Sequence, residues 1–246
     1  MLGRREASLG SRFFTTEALV IGSMRYREAD RIVSLYTRDR GRIGAIAKGV
    51  RRTKSKVGGR LEPFSLVRAS LYSGRGLYTI VGVDTLRTFQ GVRDELFRME
   101  EGGSLVIAVR HLFPGEEASG PVFNLLVRGI ARLAEAPDAA AAAGVVLAAR
   151  LKLLALLGYA PEMSHCAACG GGGPLYGFSP SLGGAVCTGC AEMGAAGCFA
   201  LSDGAQSTLC TLLASPLAEV EHLDLDDRAT AEVEQVISQT LAYHGH

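Results

Sequence analysis

Arg31-Ile32-Val33-Ser34-Leu35-Tyr36-Thr37, then Arg38-Asp39-Arg40-Gly41-Arg42, then Ile43-Gly44-Ala45-Ile46-Ala47-Lys48 is the stretch on which the fold turns. Its two outer segments are short and rich in β-branched residues. A charged, glycine-bearing turn joins them, which is the pattern of a β-hairpin. Upstream, Phe14-Thr15-Thr16-Glu17-Ala18-Leu19-Val20-Ile21 reads as another strand. Downstream, Leu66 to Tyr72 roughly alternates, and Ser73-Gly74-Arg75-Gly76 turns it into Leu77 to Val83. Five short strands in this space predict a five-stranded OB-type β-barrel over residues 13–87. Residues 1–12 read as a flexible lead-in.

Beyond Arg87 the apolar spacing changes from two to three-and-four. Asp94 to Phe113, Val122 to Glu135, Ala139 to Leu157, Ser202 to Leu213 and Arg228 to Tyr243 read as helices. Asp138 is placed to cap the third of them. The chain is therefore an α+β multi-domain protein, with a C-terminal helical domain over 88–246. Its most apolar stretch, Ala139 to Tyr159, is interrupted by Arg150 and Lys152. A membrane span needs about 20 residues with few charges, so this stretch reads as a buried amphipathic helix. No secretory leader is read at the N-terminus. The expectation is a cytoplasmic, nucleoid-associated protein with no membrane partner.

A small module over 160–198 interrupts the helical domain. Cys166-Ala167-Ala168-Cys169 and Cys187-Thr188-Gly189-Cys190 have the spacing of a four-cysteine zinc site. Each pair aims two sulfurs at one point, and two such knuckles complete a tetrahedron. With four protein ligands no position is left for water, so one structural zinc ion is expected. Gly170 and Gly189 supply freedom for the knuckle turns. Leu175 to Phe178 and Gly184 to Val186 read as a short β-ribbon. Cys198 and Cys210 read as small buried residues.

Charge divides by position. Residues 1–92 hold 18 Lys/Arg against 7 Asp/Glu, a net of +11, and the remainder carries −10. A basic segment on an acidic body points to a polyanion partner. Arg31, Arg38, Arg40, Arg42 and Lys48 fall around the second and third strands, where OB barrels bind nucleic acid. Arg51, Arg52, Lys54 and Lys56 follow in a loop suited to phosphates. Tyr26, Tyr36 and Phe64 are candidate base-stacking platforms, each with a core role as the alternative. There is no phosphate loop of the G-x-x-x-x-G-K-[ST] type, no H-E-x-x-H, and no paired carboxylates of the nuclease kind. An enzyme is not expected.

The block Tyr26 to Thr37, then Gly41, Ala47-Lys48-Gly49-Val50-Arg51-Arg52, Lys54-Ser55 and Leu61-Glu62-Pro63-Phe64 closely resembles the bacterial RecO family of DNA repair proteins. The resemblance continues into the helical region and the cysteine module. It implies a homologous-recombination mediator of the RecF pathway that binds single- and double-stranded DNA. It further implies annealing of complementary strands without ATP and help in loading RecA on coated single-stranded DNA. The implied partners are RecR and the C-terminal tail of single-strand binding protein. A helical groove with a basic rim would suit that acidic, apolar-ended tail, with Arg128, Arg132 and Arg150 as candidates. The competing expectation is a zinc-stabilised protein-interaction module with no direct DNA role.

Overall fold

The computed structural model describes residues 12–51, 58–74, 76–194 and 197–244. The expected lead-in lies almost wholly outside them. One compact unit runs to Thr88 and takes in Glu116–Ala118; the other comprises Phe89–Gly115 and the chain from Ser119 onward.

The first unit is a five-stranded sheet of β1 (Phe13–Tyr26), β2 (Asp30–Thr37), β3 (Gly41–Ala47), β4 (Ser65–Tyr72) and β5 (Tyr78–Thr88). The meander β1-β2-β3 is antiparallel, β3 pairs in parallel with β5, and β4 lies antiparallel to both β5 and β1. The pairing order β1-β2-β3-β5-β4 thus returns to β1. Alternate residues form its core: Ala18 and Val20, Val33 and Leu35, Ile43 and Ala45, Val67, Ala69 and Leu71. This two-residue period is what made the strands legible. β1 nevertheless continues past the expected end at Ile21 to Tyr26, because a register shift between Val20 and Gly22 absorbs the glycine without ending the ladder. Gly41 does need its residue type. Its φ is +60°, and a Cβ there would meet the Glu117 carbonyl oxygen at 2.3 Å.

The second unit holds α1 (Gln90–Asp94), α2 (Leu96–Leu112), α3 (Gly120–Leu133), α4 (Ala139–Leu156), α6 (Asp203–Ala214), α7 (Leu217–Val220) and α8 (Asp227–His244), with α5 (Thr188–Glu192) in the cysteine module. Side-chain caps set several starts: Ser119 accepts from Val122 N–H, Asp138 from Ala141 N–H, and Ser202 from Ala205 N–H. The helix α4 is long and apolar enough to cross a membrane, but 67% of it is buried inside the protein. It is not amphipathic as expected. Every residue from Gly144 to Leu151 is buried, on all sides, because α2, α3, α6, α7 and α8 surround it.

Arg150 sits in that buried run, 6% exposed, and pairs with Glu234 of α8. Glu101 of α2 is drawn into the same cluster; burial raises its carboxyl pKa, and the Glu234 charge adds to the effect. Arg150→Ala leaves the stem volume empty and strips Glu234 of its counter-ion. A fully buried pair broken on one side costs about 3–5 kcal/mol. With the Glu234 side chain 44% exposed, a loss of about 2–3 kcal/mol is expected, read as a lower urea midpoint at unchanged slope.

Candidate nucleic-acid interface and metal centre

The basic residues named from sequence do not form one patch. Along β2, Arg31 and Arg38 are separated by roughly 20 Å of strand, and the others divide between these two ends. At the β2–β3 turn, Arg38 bonds Glu17 at 2.9 Å, and the Arg40 guanidinium lies 4.1 Å above the Phe14 ring. Arg42 is half-buried on β3 nearby. These cations are largely engaged within the fold.

The opposite end is assembled differently. The β1–β2 hairpin projects Arg25 and Arg27 as exposed residues, with Met24 62% exposed beside them. Arg27 takes a left-handed φ of +51° at the turn, and its guanidinium lies 5.2 Å from the Tyr26 ring centre. The start of the basic loop is tied onto this turn. Gly49 N–H donates to the Asp30 carboxylate at 2.8 Å, Arg51 N–H to Ala29 O at 3.0 Å, and the Arg51 side chain to Glu28 O at 2.9 Å. Lys48 is exposed at the end of β3, and Arg31 reaches Glu62 at 3.1 Å. Arg25, Arg27, Arg31, Lys48 and Arg51 therefore share one end of the sheet. Arg52, Lys54 and Lys56 lie outside the described residues. Sequence reasoning missed Arg25 and Arg27 because it ended β1 too early; the alternation of Arg with Tyr in Arg25-Tyr26-Arg27 was the available signal.

Two of the candidate stacking platforms are core residues. Tyr36 is fully buried, and that burial raises its hydroxyl pKa to about 12. Phe64 is 7% exposed, held at φ +63° with its N–H on Val20 O at 2.8 Å. Neither ring can meet a base. Tyr26, half-buried under Arg27, keeps an accessible edge.

The four cysteines converge as their spacing required. Their sulfurs all lie within 4.8 Å of one another, and Cys169 and Cys187 are 3.9 Å apart. A zinc tetrathiolate with bonds of about 2.3 Å has edges of about 3.8 Å, so the cluster can hold one metal ion and is compatible with zinc. The knuckle turn is visible: Gly170 N–H donates to Cys166 O at 2.8 Å with Gly170 at φ +71°. Gly189 plays no such part, since it lies inside α5, where a side-chain methyl group would meet only open space. Backbone N–H groups, that of Cys187 first at 3.3 Å, draw the Cys166 thiol down to about 6. The Cys190 thiol donates to the Cys187 and Cys169 sulfurs, and these bonds, with burial, push it up to about 12. Four thiols so close cannot all ionise without a cation between them.

The scaffold is a three-stranded sheet of β6 (Leu175–Ser179), β7 (Gly184–Cys187) and β8 (Phe199–Ala200), ordered β7-β6-β8. Cys198 packs against the cluster but is only partly buried, and Cys210 is exposed. The expectation for Cys210 fails because α6 buries Ala205, Leu209 and Leu212, a stripe that turns position 210 outward.

In the helical unit a groove of about 870 Å³ runs between α3, α4 and α7. Leu125, Leu156 and Leu217 give it apolar walls; Arg128, Arg132 and Lys152 give it positive charge. Arg150, proposed for this rim, is buried elsewhere. Lys152 takes its place, its Nζ donating to Leu212 O and Leu213 O at 3.1 and 2.7 Å. The half-buried site lowers the pKa of that ammonium.

Comparison with known proteins places both halves of the chain. Residues 12–89 match the family model described as recombination protein O N terminal, and residues 105–245 the one described as recombination protein O C terminal. The DNA repair protein RecO of Rubrobacter xylanophilus is 41% identical over 209 residues, 84% of this chain and 83% of that protein. The RecO protein of Pelotomaculum thermopropionicum is 35% identical over 95% of this chain and 90% of its own length. That of Nocardioides is 41% identical over 74% of this chain and 76% of its own. None of these supports a protein-interaction module without a DNA role. Matched in both halves and aligned over most of its length, the chain belongs to the RecO family of DNA repair and recombination proteins.

Proposed function

We propose that the protein is a recombination mediator that holds DNA strands and performs no chemical step. The observation that carries this is the hairpin end of the first unit, where Arg25, Arg27, Lys48 and Arg51 converge on a turn to which Gly49 and Arg51, at the start of the basic loop, are hydrogen-bonded. The pairing order β1-β2-β3-β5-β4 supports an OB-type barrel, whose first hairpin loop commonly meets nucleic acid. Cations fixed at one end neutralise phosphates of single- or double-stranded DNA. Neutralising two complementary strands together weakens their repulsion, and base pairing then drives annealing without ATP. We read the four-thiol centre as one structural zinc ion, held by Cys166, Cys169, Cys187 and Cys190, that fixes the module. The experiment is an anisotropy titration of a short oligonucleotide with wild type and a Lys48/Arg51/Arg52/Lys54 alanine variant. The variant is expected to bind at least tenfold more weakly; equal affinities sink the assignment.

Acting in the RecF pathway at the nucleoid of the cytoplasm, the protein meets its partners through the helical unit. A groove with leucine walls and Arg128, Arg132 and Lys152 fits an acidic peptide with an apolar end, which is the chemistry of the single-strand binding protein tail. Docking there, together with RecR, would bring the protein to coated DNA for RecA loading. Arg128→Glu is expected to weaken calorimetric binding of that tail peptide by about tenfold or more. An unchanged affinity moves the tail elsewhere.

A further inference from the structure

Two glutamates from far along the chain sit on the β2–β3 turn. Glu116–Ala118 lies between α2 and α3 in sequence, yet it belongs to the same compact unit as the sheet. The Glu117 backbone rests directly on the turn, where a Cβ at Gly41 would come within 2.3 Å of its carbonyl oxygen. Tyr78, at the start of β5, donates its hydroxyl to the Glu116 carboxylate at 2.7 Å. Arg40 hydrogen-bonds the same hydroxyl, and its guanidinium lies above the Phe14 ring, which meets Tyr78 edge-on at 5.5 Å. Guanidinium and carboxylate are thus held side by side on one oxygen. Arg40 and both glutamates remain exposed. The turn carries Arg38, Arg40 and Arg42, and Arg68 stands close by, 4.0 Å from the same Glu17 that bonds Arg38. Two adjacent carboxylates laid on such a turn give it the negative charge that two phosphates would.

We propose that the β2–β3 turn is a second phosphate site for DNA, gated by the chain's own acidic segment: Glu116 and Glu117 occupy it at rest, and a strand displaces them to reach Arg40. The proposal rests on the DNA-binding reading above and adds a site at the other end of the sheet. Charge selects a polyanion as the occupant. With the segment lifted, the four arginines outweigh Glu17 and Asp39 by two charges. Lifting it is cheap, because it is a short connection whose side chains are already in water. The exchange also swaps one anion for another, so the guanidinium is never left bare. Gating keeps the turn out of the first binding event, which the hairpin end carries, and reserves it for a further strand.

The test is an anisotropy titration of a short oligothymidylate over a range of salt, with the full-length protein and a Glu116→Gln/Glu117→Gln variant. The variant is expected to bind about fivefold more tightly at low salt, with a slope steeper by about 0.7 for each phosphate gained. Arg40→Ala, which costs wild type little, is expected to cancel that gain when added to the variant. Glu95→Gln/Glu100→Gln removes the same charge from exposed positions of the helical unit and is expected to leave affinity unchanged. Unchanged affinity and slope in the Glu116/Glu117 variant, with wild type still binding, overturn the gate and leave the hairpin-end reading intact. So does an equal gain in the control, or a gain that survives Arg40→Ala. Absence of oligonucleotide binding at any salt removes both. If the double variant fails to fold, Tyr78→Phe keeps the ring against Phe14 but releases Glu116, and is expected to tighten binding in the same direction; no change overturns the gate.

Discussion

Cys190→Ser protein will carry no stoichiometric metal, and its module from residue 160 to 198 will be open to protease, whereas wild type will carry one zinc ion and resist. The module has almost no core without its sulfurs. The buried cluster of the module consists of Cys166, Val186 and Cys190, with Leu175, Cys187, Ala191 and Cys198 packed at its edge. Take the sulfurs out and almost no apolar surface remains to offset the entropy of ordering a glycine-rich segment. In small zinc modules the ion supplies about 10–16 kcal/mol of apparent folding free energy, far more than this cluster gives by burial. A chelator should reproduce the variant. Acidification should weaken metal retention, because all four thiols must lose protons to bind. Cys198→Ser is the control, since its sulfur lies outside the set that converges to within 4.8 Å. Metal analysis and limited proteolysis together decide the matter: a metal-free wild type with a protease-resistant module sinks the zinc reading.

The affinity for single-stranded DNA will fall steeply with salt. If the hairpin end neutralises about six phosphates, log K falls against log salt with a slope near −4. Between 50 and 200 mM salt that is a loss of roughly several hundredfold. The Lys48/Arg51/Arg52/Lys54 alanine variant removes four of those cations, so its slope should shrink to about −1.5. The structure makes the prediction sharper than a count of basic residues. Arg38 and Arg40 are occupied by Glu17 and Phe14 at the other end of the sheet. Their replacement by alanine should therefore change the slope far less than replacement of Lys48 and Arg51. A flat response to salt, or equal effects of the two pairs, contradicts the assignment of phosphate binding to the hairpin end.

Much of this was legible from residue order. Alternation marked the strands, three-and-four spacing marked the helices, and the two C-x-x-C pairs marked a convergent four-thiol centre, because each signal is set by neighbours in sequence. What failed was set by neighbours in space. Tyr36 looks like its exposed counterparts on the page, yet it is fully buried. Arg38 and Arg31 are equally basic, but Glu17 on β1 and Glu62 just before β4 claim them, partners that no local pattern gives. Arg150 and Lys152 flank Leu151; helical rotation buries one against Glu234 and turns the other into the groove.

The two edges of β1 are not equivalent in time. Pairing with β2 closes a short turn, so the β1-β2-β3 meander condenses locally. Pairing with β4 brings Phe13 to Tyr72 across that meander and the basic loop, and its loop-closure entropy must be met before its hydrogen bonds form. The parallel seam between β3 and β5 comes later still. During synthesis β1 therefore keeps one edge unsatisfied until the chain has reached Tyr72, and the unit is complete only when β5, ending at Thr88, has closed the seam with β3.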